Sequence, residues 1–110
     1  MLTWYKKLYV GDTAKRKKDK IIQKVNRRKP QLEVYLITLA SNPENLLEII
    51  STNQLMQKTI YRRCPMIVGL AAGYWEALEL VQQIVAETYE TQGNTDVRGY
   101  LEERLKKRNK

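Results

Sequence analysis

Polar and apolar positions alternate between two periods along this chain. Leu8-Tyr9-Val10 is a short β-prone run stopped by Gly11, and it predicts a brief first strand. Asp12 or Thr13 can then cap a helix by accepting a backbone N–H bond. Ala14, Lys18, Ile21, Ile22 and Val25 fall on one face at helical spacing, with the stem of Lys18 lying along the stripe. Pro30 closes that helix. Residues 32–40 read Leu-Glu-Val-Tyr-Leu-Ile-Thr-Leu-Ala, the pattern of a strand covered on both faces. Asn42, Pro43 and Glu44 suit the cap and first turn of a second helix, with Leu46, Leu47, Ile49 and Ile50 as its apolar face, running to about Leu55.

Residues 56–65 are irregular, and Met66–Ala72 is a second buried strand broken by Gly73. A long helix follows, with Ala77, Leu78, Val81, Ile84, Val85 and Thr88 inward and Glu76, Glu79, Gln83, Glu87 and Glu90 outward, ended by Gln92-Gly93-Asn94. Thr95 or Asp96 caps a last helix with Val97, Tyr100, Leu101 and Leu105 on its buried stripe, and the tail 106–110 is expected to fray. The order is (β)αβαβαα. It predicts an α/β fold: a small, mainly parallel sheet of two or three strands with helices packed on it, built on a parallel βαβ unit from 34–40 and 66–72.

The 110 residues suit one domain, and their 43% apolar content can build its core. The segments 4–11 (Trp-Tyr-Lys-Lys-Leu-Tyr-Val-Gly), 34–42 and 68–81 resemble a family of small uncharacterised bacterial proteins, over nearly the whole chain. The resemblance implies a bacterial cytosolic protein of similar length. It brings no activity, cofactor or site residue with it. No signal peptide and no run of about twenty apolar residues is present, so a cytoplasmic location is expected.

Charge is the main functional clue. Residues 1–30 hold eleven Lys or Arg against two Asp, residues 64–97 hold five acids and no base, and residues 98–110 are basic again. On the polar face of the first helix lie Lys15, Arg16, Lys17, Lys20, Lys24, Arg27 and Arg28, which can contact phosphates. Trp4, Tyr5 and Tyr9 stand beside them as stacking candidates. A purely solvated face, a face paired with the acidic 76–90 helix, and a different acidic partner are the competing readings.

A parallel sheet would also gather Gly11, Asp12, Thr13, Ser41, Asn42, Gly73, Tyr74 and Trp75 at its strand ends, each group before a helix. That is the usual place for a small anionic ligand. Enzyme readings are weak. The chain has no histidine, which excludes Ser-His-Asp, Cys-His and ordinary zinc sites, and it has no phosphate-binding glycine motif. Cys64, the only cysteine, lies beside Arg62 and Arg63, which can lower its thiol pKa. The sequence therefore predicts a non-enzymatic binding or regulatory protein without metal or cofactor. Nucleic acid is the favoured partner, and a homodimer acting as a small-ligand or protein-interaction module is the alternative.

Overall fold

The computed structural model describes residues 2–42 and 45–106. β1 spans Trp4–Val10, and a 3₁₀ turn at Lys15–Lys17 leads into α1, Lys18–Asn26. β2 (Val34–Leu39) and β3 (Leu47–Ser51) follow, then a 3₁₀ helix at Thr52–Met56 and the short α2, Lys58–Arg63. β4 (Ile67–Ala72), α3 (Tyr74–Gln92) and α4 (Val97–Lys106) complete the chain.

The four strands form one sheet in the order β1-β4-β2-β3. Only β1 and β4 are paired in parallel; β2 runs antiparallel to both β4 and β3. The architecture is α/β, but the sheet is mixed and has four strands, against the expected mainly parallel sheet of two or three. The reason lies in residues 46–50. Leu47-Glu48-Ile49-Ile50 is too short an apolar run for its period to separate helix from strand, and two of its four residues are β-branched. It pairs with β2 as a hairpin, from Tyr35 opposite Ser51 to Leu39 opposite Leu47. The expected helix, from 43 to about 55, is over residues 47–55 strand followed by 3₁₀ helix. Pro43 and Glu44, expected to open that helix, lie outside the described residues. So do residues 107–110 of the tail expected to fray. Once β2 and β3 form a hairpin, β4 joins the free edge of β2, antiparallel to it.

Strand alternation sends side chains to two faces. Tyr5, Tyr9, Ile37, Val68 and Ala71 meet α3 and α4 through Ala77, Leu80, Ile84, Val97 and Leu101. Val34, Leu36, Ile67 and Leu70 meet α1 and the 3₁₀ helix through Ala14, Ile21, Val25 and Leu55. The molecule is thus three layers, helices on each side of the sheet. A bulge in β4 fits this packing: Ile37 pairs with Gly69 but Thr38 with Ile67, so Val68 is the extra residue. The expected cap by Asp12 or Thr13 does not form, since α1 begins only at Lys18 and neither it nor the 3₁₀ turn before it has a side-chain cap. The ends of α3 and α4 follow the expected chemistry. Gly93 terminates α3 at φ 73°, where a side chain would be strained, and its N–H donates to Tyr89 O at 2.8 Å. Asp96 Oδ1 accepts the Gly99 N–H at 3.1 Å and caps α4.

Candidate functional site

α1 lies on the sheet by Ile21 and Val25, which turns its cations outward. Lys17, Lys20 and Lys24 recur at helical spacing and share one side. With Arg16 they form one wall of a groove of about 570 Å³, whose other wall is Pro30–Val34 and Ala72. Among the described residues that line it, Glu33 is the only acid. The groove concentrates four positive charges over a partly apolar floor, the arrangement that attracts a polyanion.

The seven cations expected to bind phosphate are not equivalent. Arg16, Lys17, Lys20 and Lys24 line the groove. Lys15 lies 3.3 Å from Asp12 in an exposed ion pair, and Arg27 is exposed outside the groove lining. Arg28 is committed to the fold. Its Nη2 donates to Met56 O at 2.8 Å, its Nε to Leu55 O at 3.4 Å, and its guanidinium lies 4.9 Å from the Tyr61 ring centroid.

The stacking residues differ from those expected. Tyr5 and Tyr9 are buried; Tyr5 Oη donates to Leu101 O at 2.7 Å and Tyr9 Oη to Glu87 Oε1 at 2.6 Å. Trp4 is half-buried, with its indole N–H on Asn26 Oδ1 at 2.9 Å. None of the three presents a free ring. Alternation within β1 explains this, since Tyr5 and Tyr9 point into the α3–α4 layer. The exposed rings are Tyr74, Trp75 and Tyr89, and of these Tyr74 and Trp75, the latter 78% exposed, lie beside the groove wall in sequence. Tyr74 packs edge-on to Tyr35 and to Trp75, with centroids 5.7 and 6.2 Å apart. They follow directly after the groove wall at Ala72, and the intervening Gly73 N–H donates to Glu33 O at 2.6 Å. Leu32, 89% exposed, stands on the groove side of this junction.

The expected strand-end pocket is divided. Gly11, Asp12 and Thr13 lie at the same end of the sheet as Gly73, Tyr74 and Trp75, because β1 and β4 are parallel. Ser41 and Asn42 follow β2, which is antiparallel, and so lie at the opposite end of the sheet. The anion position at the β1–β4 end is filled by the chain itself. Glu76 Oε1 accepts the Thr13 N–H at 3.0 Å and Oε2 accepts the Ala72 N–H at 2.8 Å. Burial works against this charge, but those N–H groups, the Thr13 hydroxyl and the Ala14 N–H outweigh it and hold the carboxyl below its ordinary value. A Cβ on Gly11 would land on this carboxylate, so the close approach requires glycine. Glu76 was expected to be an outward solubilising residue; its position in the first turn of α3 was the available signal.

Glu87 was also expected outward. It accepts from Tyr9, from Tyr100 Oη at 3.0 Å and from Gln83 Nε2 at 3.0 Å. Arg104 covers Tyr9 at 4.3 Å and donates through Nη1 to Lys7 O at 2.9 Å. Burial opposes charge on Glu87, but these donors win and lower its pKa; burial and Glu87 together raise that of Tyr9. This cluster fastens α4 to β1. Cys64 is a free cysteine, and burial pushes its thiol up, against the lowering that Arg62 and Arg63 could have produced.

The two basic ends of the chain lie on opposite faces of the sheet, α1 on one and α4 on the other. The acidic α3 is also across the sheet from α1, so the two helices do not pair within one subunit. Among the described residues no helix is long and apolar enough to cross a membrane. Comparison of the chain with protein-family models, with curated proteins and with solved structures finds no match to any of them.

Proposed function

We propose that this is a non-enzymatic nucleic-acid-binding protein that seats a phosphate backbone in the groove beside α1. The observation that carries this reading is the wall of Arg16, Lys17, Lys20 and Lys24 facing a single acid, Glu33. Arg28 and Lys15 are left out of the contact, because each already has a partner. Tyr74 and Trp75, reached across Gly73, take over the stacking role first expected of Trp4, Tyr5 and Tyr9. A single strand can use both features; a duplex, with its bases stacked internally, uses the groove alone.

Counterion release supplies the test. Log affinity plotted against log salt concentration should be linear. Changing Lys17, Lys20 and Lys24 together to Gln should reduce the slope by about two to three for duplex DNA, and by somewhat less for a single strand. Trp75→Ala should weaken single-strand binding by roughly five- to a hundredfold and leave duplex binding unchanged. An unchanged slope in the triple variant removes the groove from the contact and ends this reading.

A second reading, the homodimer, is favoured by the β3 edge. β3 lies at the end of the sheet with its other side unpaired among the described residues, and all five of its residues are half-buried. Two copies can continue the sheet there.

A further inference from the structure

A second cleft lies on the same side of the sheet as α1 but near the opposite strand ends, between β2, β3 and α2. It begins with Thr38. That side chain is fully buried, and its hydroxyl makes no hydrogen bond with the protein. Buried hydroxyls are nearly always paired, because an unpaired one costs its full desolvation free energy. The bulge at Val68 shifts the β2–β4 register at this residue, and Thr38 stands directly opposite Glu48 in the β2–β3 ladder. Opposed residues on neighbouring strands point to one face, so the hydroxyl and the carboxylate are neighbours. Both residues line a cleft of about 250 Å³, Thr38 from its fully buried floor, and Arg63, Cys64 and Thr59 close it from α2 and its end, with Ile50 and Ile60 as its apolar wall.

The lining chemistry is specific. Glu48 and Arg63 have no ion-pair partner among the described residues, and they bring opposite charges to one cleft. The Cys64 thiol stays protonated through burial and offers no competing anion. A volume below the roughly 300–1,000 Å³ of pockets for drug-sized ligands restricts the occupant to a small molecule. We propose that this cleft binds a small zwitterion of the α-amino-acid class. Glu48 takes the ammonium, Arg63 the carboxylate, and Thr38 a polar atom of the ligand inside the cleft. The site is independent of the nucleic-acid reading, since it shares no lining residue with the basic groove.

Thr38 makes the test decisive, because its hydroxyl serves a ligand and not the fold. Small L-α-amino acids, from alanine and serine to threonine, are supplied singly at millimolar concentration to the full chain. Thermal unfolding and the rate of Cys64 modification by a thiol reagent are then followed. Binding at about ten times Kd raises the melting temperature by roughly 5–8 °C and slows labelling of the single cysteine. Thr38→Val, the isosteric change, leaves the free protein as stable as the parent or more stable, and weakens binding about three- to tenfold. Glu48→Gln weakens binding of the amino acid but not of the carboxylate without its ammonium, propionate in place of alanine. If no amino acid raises the melting temperature or protects Cys64, the site does not exist. Binding that is unaltered in both variants lies elsewhere and overturns the assignment equally. A Thr38→Val chain less stable than the parent shows that the hydroxyl serves the fold, and also overturns it.

Discussion

Individual side chains of one type have been put to opposite uses. Glu76 shows how a carboxylate can close a site as well as serve one. In the folded protein its carboxyl titrates below the ordinary value near 4.5, so its stabilisation is complete above that value. It is lost as pH falls through the lower folded value. Glu76→Gln should cost about 1–2 kcal/mol at neutral pH, the modest end for charge-assisted bonds because solvent reaches the group. It should also flatten the acid limb of a stability-versus-pH curve measured by denaturant unfolding. The limb will not vanish, since Glu87 is held down in the same sense by Tyr9, Gln83 and Tyr100. Arg28 and the groove lysines form a similar contrast. Arg28→Gln should lose about 1–2 kcal/mol of stability through its two carbonyl bonds and the Tyr61 ring, with no change in the salt slope of DNA binding. Lys20→Gln should do the reverse. The cations were legible in the sequence as a set. Which of them the fold consumes was not, because Arg28 meets residues 55–61 only after the second layer has formed.

Elements were legible where they are long enough to show their period. α1, α3 and α4 carry stripes at 3.6-residue spacing, and their caps at Gly93 and Asp96 stand where turn chemistry put them. Leu80 was overlooked in α3, since the stripe was centred one residue too far round. β2 and β4 were legible as apolar runs. β1 was read only from Leu8, because Lys6 and Lys7 interrupt its first half; the structure extends it to Trp4. β3 was misread, and with it the direction of the β2–β4 pairing; β1 and β4 are parallel, as expected. That one element moved Ser41 and Asn42 away from the other candidate ligand residues. β2 is central in the sheet, and Ile37 within it is fully buried. Ile37→Asp should therefore leave the chain unfolded by circular dichroism, since an unpaired charge in that position costs more than about 4–5 kcal/mol. A folded variant would mean that β2 does not hold the centre of the core.

On the scale of the whole molecule, the two edges of the sheet are unlike. β1 is partly sealed by α4, where Lys7 Nζ donates to Arg104 O and Arg104 Nη1 donates to Lys7 O, both at 2.9 Å. Among the described residues β3 has no such cover. Self-association through β3 should appear in sedimentation equilibrium at high micromolar concentration. It should persist in high salt, because backbone pairing with Leu47, Ile49 and Ile50 depends little on charge. A dimer that dissolves as salt rises would point instead to contact between basic α1 and acidic α3 of two copies.

The strand order has a consequence for how the chain is made. During synthesis Trp4–Val10 emerges before the other strands, yet its neighbour in the sheet is β4, some sixty residues later. Tyr5 and Lys7 wait longer still, for Leu101 and Arg104. The β2–β3 hairpin can close locally and accept β4 while the first strand remains unattached. β1 then docks last, after the largest loop has been closed. For that interval it is an exposed, β-prone segment in a crowded compartment. Lys6 and Lys7, which hid it from a reading of the sequence, are the charges that keep it from pairing with another chain while it waits.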